Sequence, residues 1–311
     1  MTEHSATSGI LITGANGHLG QRLIPELATK RPVKALVRSE QAATALRGTI
    51  DSLPGTTANN VTIVELDYVD VDGIRAATLN CSEIIHLAGI LKESPWSSYK
   101  QAHEDTTQAL LNATVDADIK RIHYLSIVGS RPDAPNACLA SKGRAEAMLL
   151  ESSIPALVLQ VPMVLGEGDY AAAALNAQAR RGTNFVFDVN ARDQPLYAGD
   201  VVNALINGSN LDTAFNNRLT LAGPTSINKR DLIKRAAALL GNQTRVIGIP
   251  GAFATGMAKL LERLSKNPPV TAAMMEILHH DDNYDPEPAC ETLKLNLTSL
   301  DTMLENVLVR A

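Results

Sequence analysis

The stretch "GILITGANGHLG" runs from Gly9 to Gly20, and it predicts the fold of the chain. Its first five residues form an aliphatic run typical of a buried β-strand, and the apolar residues that follow recur at helical spacing. Gly14 and Gly17 lie between the two patterns. Glycines at such a turn let the backbone approach a pyrophosphate, and a helix N-terminus offers unpaired N–H groups to an anion. The stretch therefore predicts a strand, a phosphate-binding turn and a helix, with a tight turn that binds nothing as the alternative.

Beyond this turn, aliphatic runs alternate with helical patterns over the first half of the chain. Further strands are expected at 33–37, 61–66, 83–87, 121–126 and 156–161, and helices near 99–117 and 138–153. Strands that alternate with helices predict right-handed crossovers and a doubly wound parallel sheet, which is an α/β Rossmann fold.

The strand rhythm loosens after Pro162. We therefore expect a dinucleotide-binding domain over residues 1–162 and a smaller, mostly helical substrate-side region over residues 163–311. An amphipathic helix is expected at 252–266, to pack against the body or a partner, with a membrane surface as a minor alternative. The run "HHDD" (279–282) does not predict a metal site, because adjacent histidines on a helix point to different faces.

The composition of the 311 residues excludes several classes of protein. With 45% apolar residues, 20% charged residues and a net charge of -5, the chain has no basic stripe that would suggest nucleic acid as a partner. Its three cysteines have no metal-ligand spacing and are expected to be reduced thiols. No apolar segment is long enough to cross a bilayer, and the polar "MTEHSATS" start lacks an export signal, so we expect a cytoplasmic protein.

The end of the second predicted strand, "LVRSE", bears on the choice of dinucleotide. An NAD-preferring site carries an acidic residue here for the ribose diol, whereas this chain has Arg38 with Ser39 behind it. The planar guanidinium fits a 2′-phosphate, so the sequence favours NADP(H) as cofactor. A solvated surface arginine is the alternative.

The other predicted dinucleotide contacts also follow strand ends. Asp67 and Tyr68 come after the third strand, where the adenine edge should lie, and the small residues of "HLAG" follow the fourth. His86 is expected to be a packed strand residue. The complete predicted set is Gly14, Asn16, Gly17, His18, Leu19, Gly20, Arg38, Ser39, Asp67, Tyr68, Ala88, Gly89 and Lys142.

These motifs occur in the order of a known superfamily. With "TGANGHLG", "LVRS", "LDYVD", "HLAG", "YLS" and "SKGRAE", the chain resembles the short-chain dehydrogenase/reductases in their extended or atypical branch. The later "VPMVLGEGDY", "PLYAGDVVNAL", "LAGPTSINKRDLIKRAAALLG" and "NPPVTAAMMEIL" resemble the group that includes the nucleotide-binding accessory subunit of respiratory complex I and its bacterial relatives. The resemblance implies a Rossmann domain, a bound dinucleotide and a C-terminal region that shapes a pocket.

The resemblance also implies a catalytic pair, from which this chain departs. Members generally use a tyrosine and a lysine four residues apart on one helix, and Lys142 takes the lysine position while Cys138 takes that of the tyrosine. A nearby ammonium would lower the thiol pKa, so proton transfer is chemically possible, although the short side chain stops short of the phenol position. A small buried hydrophobe is the interpretation we prefer for Cys138.

Two further positions bear on the chemistry. Ser126 aligns with the first serine after the fifth strand, but Ile127 and Val128 stand where a substrate-binding hydroxyl usually lies. His103 falls where many relatives place an asparagine that supports the lysine. It could donate a proton near neutral pH, although a histidine satisfied by its helix and solvent is the preferred interpretation.

Three functions remain open. The first is an NADP-dependent oxidoreductase that uses Lys142, with water or His103, on a small carbonyl or alcohol. The second is a non-catalytic NADP(H)-binding protein, structural or redox-sensing, with a protein partner or a second copy of itself. The third is a sugar-nucleotide epimerase or dehydratase, which Arg38, Cys138 and Gln160, at a position where such enzymes often carry arginine, disfavour.

Overall fold

The computed structural model describes residues 8–212, 214–250, 256 and 281–310. The strands are β1 (Gly9–Thr13), β2 (Val33–Val37), β3 (Val61–Glu65), β4 (Cys81–His86), β5 (Arg121–Ile127), β6 (Ala156–Val161), β7 (Val164–Leu165), β8 (Thr183–Phe187), β9 (Arg192–Asp193), β10 (Leu196–Tyr197), β11 (Asn217–Thr220), β12 (Ile227–Asn228) and β13 (Arg245–Ile249). The α-helices are α1 (His18–Ala28), α2 (Glu40–Asp51), α3 (Gly55–Ala58), α4 (Val71–Thr78), α5 (Thr106–Ala113), α6 (Ala137–Leu150), α7 (Tyr170–Arg180), α8 (Ala198–Gly208), α9 (Lys229–Leu239), α10 (Glu287–Leu293) and α11 (Leu300–Leu308).

The central sheet has seven parallel strands in the order β11-β6-β5-β4-β1-β2-β3. This confirms the predicted doubly wound Rossmann fold, and three of the six predicted strands have the predicted bounds. The seventh strand, β11, was not predicted and comes from the second half of the chain. Its sequence, "NRLT", is short and polar because it forms a half-exposed edge, so it carries no aliphatic run.

Helices cover both faces of the sheet. On one face α1, α2, α8 and α10 pack against the β1 and β2 side chains, and on the other α4, α5 and α6 pack against β4 and β5. A third apolar cluster joins α7, β8, α9 and α11. Alternate side chains of each buried strand therefore enter different cores, which explains the unbroken aliphatic runs of the sequence.

The predicted helix near 99–117 is divided in the structure. Residues Lys100–Asp105 form a π-helical stretch, and α5 continues from Thr106. π-helical turns are rare and occur often at functional sites. Apart from residue 256, the predicted helix at 252–266 and the two histidines of "HHDD" lie outside the described residues.

Several helix starts are fixed by local side-chain caps. Ser39, Asp70 and Asn136 accept hydrogen bonds from the first-turn N–H groups of α2, α4 and α6. The helix α1 differs, because its N-cap is Gly17 and no side chain caps it. Its first-turn N–H groups therefore remain available to an anion. No helix within the described ranges combines the length and apolar character that a bilayer crossing needs.

Candidate functional site

A cavity of about 210 Å³ opens at the carboxyl ends of the parallel strands, next to the adjacent strands β1 and β4. Ligands of doubly wound folds bind at this edge, where the chain direction of the crossovers reverses. The cavity is lined by Gly14, Asn16, Gly17, Arg38, Tyr68, Leu87, Ala88, Gly89, Ile90, Ala102 and Thr106. Seven of these eleven residues belong to the predicted dinucleotide set. A larger, more open hollow of about 580 Å³ between α9 and β13 contains none of that set.

Gly14 and Gly20 leave no room for a side chain at either end of the turn. Gly14 has a φ of +67°, and a Cβ on it would lie 2.9 Å from the Ala88 backbone nitrogen. A Cβ on Gly20 would lie 2.5 Å from the Ala15 carbonyl oxygen, so Gly20 lets α1 pack against the turn. The turn is therefore a bare backbone cradle between β1 and the end of β4.

Tyr68 supports this turn from below. The Gly14 N–H donates to the Tyr68 hydroxyl oxygen at 2.8 Å, and that hydroxyl donates to the Leu36 carbonyl oxygen at 3.0 Å. The Arg38 guanidinium lies 5.5 Å from the centre of the nearly buried ring. Burial raises the pKa of Tyr68, so the phenol stays protonated and keeps its donor role. Tyr68 thus links the glycine turn to Arg38.

Arg38 is exposed, and no carboxylate among the described residues lies within ion-pair distance of it. Its guanidinium is therefore available to a ligand at the rim of the cavity. The neighbouring Ser39 is engaged, because its hydroxyl caps α2 through the Ala42 N–H at 3.2 Å. Asp67 is exposed and accepts from the Val69 N–H at 3.3 Å. Neither Ser39 nor Asp67 lines the cavity.

His18 and Leu19, the predicted dinucleotide contacts on α1, do not line the cavity. His18 lies with its Nδ1 3.1 Å from Asp169 Oδ1, in the loop before α7. Arg22, one turn further along α1, donates to the same carboxylate oxygen at 2.8 Å. Leu19 packs against the core. These contacts fix the start of α1 against the second half of the chain.

Lys142 is buried, with 6% of its surface exposed, and it does not itself line the cavity, although it lies next to Gly89, which does. Its Nζ donates to the Leu125 carbonyl oxygen at 2.9 Å and lies 3.4 Å from the Tyr124 hydroxyl and 4.8 Å from the centre of that ring. A Cβ on Gly89 would lie only 3.4 Å from Nζ. Burial lowers the pKa of Lys142 to about 8, so the ammonium is close to its titration point at neutral pH.

Cys138 is completely buried, and its Sγ donates to the Ile90 carbonyl oxygen at 3.7 Å. Burial raises the pKa of the thiol to about 11 and outweighs the opposite effect of Lys142. The ammonium acts in the expected direction, but desolvation has the larger effect, so the net pKa is raised. The thiol is protonated and packed, as the interpretation of a small buried hydrophobe requires.

His103 is also completely buried, on the π-helical stretch. Its Nε2 lies 3.1 Å from both the N and the O of Ile90, its ring stacks on Tyr99, and its Nδ1 has no partner within the described ranges. Burial and the charge of Lys142 lower its pKa to about 3. The imidazole is therefore neutral near pH 7 and buried, so the preferred interpretation of a ring satisfied by its helix and solvent is wrong, and the alternative of a proton donor has no charged imidazole to draw on.

Ser126 and Tyr124 lie two residues apart on β5. The Ser126 hydroxyl is buried without a hydrogen-bond partner in the described part of the chain. Tyr124 is fully buried, and burial strongly raises its pKa. The sequence analysis missed Tyr124, although its alternation with Ser126 ahead of a lysine-bearing helix was a usable signal. His86 is packed as expected, between Thr13 and a threonine of α5.

Gln160, at the position where sugar-nucleotide enzymes often carry an arginine, belongs to a buried polar network. The Gln160 amide nitrogen donates to both carboxylate oxygens of Glu146 at 3.0 Å, and Arg218 Nε donates to the same carboxylate at 2.6 Å. Glu146 is completely buried. Gln160 and Arg218 therefore connect β6, α6 and β11. Asp200, in the first turn of α8, accepts from the N–H and hydroxyl of Thr298, ahead of α11.

The residues fit a dinucleotide. The uncapped N-terminus of α1, the bare glycine cradle and the unpaired guanidinium of Arg38 suit the phosphates, and the Lys142 ammonium lies beside Gly89 at the other end. Together with the sheet order, they define an NAD(P)-binding protein of the short-chain dehydrogenase/reductase type.

The chain belongs to the NAD(P)H-binding family, whose model matches residues 14–184. It is 26% identical over 118 residues to an NAD-dependent glucose-6-phosphate dehydrogenase of Haloferax volcanii, which covers 38% of this chain and 42% of that protein. It is 22% identical over 306 residues to a ceramide reductase of Caulobacter vibrioides, which covers 96% of this chain and 93% of the relative. The chain thus spans less than half of the first relative and nearly all of the second.

Solved structures share the fold. The UDP-glucuronic acid 4-epimerase of Bacillus cereus, in complex with UDP-glucuronic acid and NAD, superposes with a TM-score of 0.73 at 18% identity and covers 96% of this chain and 97% of that one. At this identity the likeness concerns the fold alone. The narrower resemblance to the complex I subunit stays a prediction.

Proposed function

We propose that the protein is an NADP(H)-dependent oxidoreductase that acts on a small carbonyl or alcohol through a non-standard active site. The observation that carries this proposal is the position of Lys142. Its buried ammonium lies beside Gly89, at the inner end of the cavity that begins at the glycine turn. The printed names of the two relatives, a dehydrogenase and a reductase, support the same class of reaction.

Lys142 has two roles in this proposal. It binds the nicotinamide ribose, and it supplies the proton that the carbonyl oxygen takes up when NADPH, once bound, supplies the hydride to the carbonyl carbon. The products are the alcohol and NADP⁺, and Lys142 regains its proton from water. A pKa of about 8 suits a proton donor at neutral pH, because the group is mostly charged but gives up its proton readily.

The preference for NADP(H) over NAD(H) is supported by Arg38. A guanidinium with no carboxylate partner among the described residues, at the rim of the cavity, attracts a 2′-phosphate. The solved neighbour that holds NAD does not decide this choice, because its likeness concerns the fold alone. We also retain the cytoplasm as the proposed location.

A non-catalytic, NADP(H)-binding role is the second candidate, and Cys138 is the observation that favours it. Its protonated thiol donates to the Ile90 carbonyl and is buried, so it offers no proton to a substrate. In such a protein the dinucleotide would stabilise the fold or report the redox state, and a protein partner or second copy would receive the signal.

A sugar-nucleotide epimerase is the third candidate, and the described contacts count against it. Gln160 and Arg218 are both engaged by the buried Glu146, so neither is free to bind a diphosphate. Such enzymes also rely on the tyrosine that Cys138 replaces.

Binding and turnover test the proposal separately. NADPH and NADH are titrated into the protein by nicotinamide fluorescence, with Arg38→Ala and, as a control, Arg75→Ala, an exposed arginine paired with Asp72 away from the cavity. We expect NADPH to bind more tightly than NADH. Arg38→Ala should weaken NADPH binding by about 1.5–3 kcal/mol, the cost of removing a charged hydrogen-bond partner. Equal affinities for the two dinucleotides would contradict the assignment of NADP(H).

Turnover is then followed as NADPH oxidation with a panel of aldehydes and ketones. We expect activity that falls as the pH rises through about 8, because Lys142 loses its proton there. Tight NADPH binding without turnover of any carbonyl or alcohol would exclude the oxidoreductase and leave the non-catalytic role.

A further inference from the structure

Tyr124 lies in the middle of strand β5, next to Lys142. It is completely buried, and it is in register with His86 of β4. Lys142 approaches it from α6, and Nζ lies 3.4 Å from the Tyr124 hydroxyl oxygen and 4.8 Å from the centre of the ring. Nζ also donates to the carbonyl oxygen of Leu125, the next residue of the strand, at 2.9 Å. Strand β5 therefore holds the Lys142 side chain at two points.

Gly89 connects this contact with the cavity. It lines the cavity, and a Cβ on it would lie 3.4 Å from the Lys142 Nζ. An ammonium has three N–H donors, and the described residues provide hydrogen-bond acceptors for two of them, both on β5. The third donor is therefore left for a ligand group that enters beside Gly89.

The Tyr124 hydroxyl suits both protonation states of Lys142. Its oxygen accepts a hydrogen bond from the ammonium, and its O–H can rotate to donate to the lone pair of the neutral amine. Burial strongly raises the pKa of Tyr124, so the phenol keeps its own proton over the range in which Lys142 titrates. Tyr124 can therefore hold Nζ in place before and after the lysine gives up a proton.

Four other titratable side chains face Lys142. They are Cys138 and Glu146 on α6, His86 on β4 and His103 on the π-helical stretch. The pKa values of His86 and His103 are lowered to about 3, and that of Cys138 is raised to about 11, so these three groups are neutral between pH 6 and 9. Within the described part of the chain, Tyr124 is the side chain that hydrogen-bonds Nζ.

We propose that Tyr124 is a positioning residue for the reaction, whose hydroxyl holds the Lys142 side chain beside Gly89 and favours its charged, proton-donating form. This inference rests on the proposed oxidoreductase function. The ammonium gives its proton to the carbonyl oxygen as hydride reaches the carbonyl carbon, and the neutral amine then accepts a hydrogen bond from Tyr124 until water returns the proton. Tyr124 itself neither gains nor loses a proton.

The first test measures unfolding of Tyr124→Phe in urea at pH 6 and pH 9. The substitution keeps the ring and removes the hydroxyl. Because a hydrogen bond from a charged donor is stronger than one between neutral groups, its loss lowers the pKa of Lys142 further. Tyr124→Phe should therefore raise the unfolding constant more at pH 6 than at pH 9, with a difference on the order of tenfold between the two pH values.

Two controls separate this effect from a loss of packing. In a Lys142→Met background, Tyr124→Phe should have the same cost at pH 6 and pH 9, because the titrating group is gone. Tyr197→Phe removes a hydroxyl that donates to Glu167 at 2.6 Å rather than to a lysine, and its cost should also be the same at both pH values.

The second test follows turnover as NADPH oxidation with an aldehyde. In Tyr124→Phe, the fall in kcat that is expected near pH 8 should move to lower pH by about one pH unit. A residue that only fills space would lower kcat equally at every pH. If no carbonyl compound turns over, the proposed function fails, whereas the unfolding measurements still decide whether Tyr124 holds the charged lysine.

The third test uses the wild-type chain and does not depend on the folding of Tyr124→Phe. The chain has six tyrosines, and labelling them with carbon-13 at Cζ gives each a nuclear magnetic resonance signal. We expect one of these signals to shift as the pH passes through about 8, where Lys142 titrates. The same step should be absent in Lys142→Met.

Three results would overturn the inference. One is an equal cost of Tyr124→Phe at pH 6 and pH 9. A second is a pH-dependent cost that persists in the Lys142→Met background, which would assign the effect to another group. The third is a set of tyrosine signals in which none follows the titration of Lys142. Each result would leave Tyr124 as a packed residue of the sheet.

Discussion

The two ends of the cavity differ in how far they follow the superfamily pattern. At the dinucleotide end, the glycines, Arg38 and the small residues after β4 all meet around one cavity. At the reaction end, the correspondence predicted from the sequence keeps Lys142 but puts the buried Cys138 at the tyrosine position, and Ile127 and Val128 where a hydroxyl usually lies.

The difference has a physical cause. The dinucleotide end is built from backbone, and a side chain at Gly14 would overlap the end of β4, so the sequence there is constrained by space. The reaction end is built from side chains on α6 and β5, where a smaller residue can be packed without moving the backbone. A protein can therefore change its chemistry at one end while the other end stays intact.

The largest expected effect concerns the backbone end, in Gly14→Ala. The new Cβ would strain a φ of +67° and lie 2.9 Å from the Ala88 nitrogen, so we expect about 2–5 kcal/mol of lost stability and no NADPH-induced rise in Tm. Urea unfolding and thermal melting measure both. The control is Gly241→Ala, since Gly241 has a φ of +70° but no atoms within 4 Å of an added Cβ.

Gly241→Ala isolates the cost of the left-handed conformation, expected at about 1–2 kcal/mol. If both substitutions cost the same and NADPH still stabilises Gly14→Ala, the close approach at the turn has no role in binding, and the contrast between the two ends fails.

The second prediction concerns Lys142, which in the proposed function both binds the cofactor and takes part in the reaction. Because burial lowers its pKa to about 8 in the folded protein, the charged form destabilises the fold below pH 8. As the pH rises from about 8 toward 10.5, the unfolded chain binds this proton and the folded chain does not, so stability rises. Lys142→Met should remove that rise, on the order of 1–3 kcal/mol, and raise the apo Tm at pH 7.

Lys142→Met should also weaken NADPH binding. The variant therefore has a higher Tm without cofactor, and NADPH raises its Tm by less than it raises that of the wild type. Lys34→Met is the control, because Lys34 also donates to a backbone carbonyl, at 2.7 Å, but on the exposed side of β2. If the stability of wild type and Lys142→Met depends on pH in the same way, Lys142 is not a buried charge. If NADPH raises the Tm of both proteins equally, Lys142 does not contact the cofactor.

The third prediction concerns the reaction end, in Cys138→Tyr, where no change in NADPH binding is expected. Cys138 is completely buried against the Ile90 carbonyl, so a phenol would overpack the site at a cost of about 1–3 kcal/mol. We expect an earlier melt, retained NADPH binding and no gain of reductase activity. Cys138→Ala serves as the control for loss of the thiol without added volume. A stable Cys138→Tyr variant with clear turnover would show that the tyrosine-dependent site is still intact.

The amino-acid sequence by itself determined six of the seven strands of the central sheet and most of the residues that line the cavity. Aliphatic runs and the positions of the glycines are local signals, and their order along the chain fixes which loops meet at the carboxyl edge of a parallel sheet. That is why the predicted strands and the cavity-lining residues of "TGANG" and "HLAG" were found without a structure.

Only the tertiary structure decided the properties that depend on burial and on distant partners. The pKa of Cys138 rises rather than falls because desolvation outweighs the nearby ammonium. His103 is neutral because desolvation and the charge of Lys142 both lower its pKa. Tyr124 under Lys142, the engagement of Gln160 by Glu146, and the edge strand β11 join residues far apart in the chain. No local pattern encodes these contacts, because each depends on how separate elements pack together.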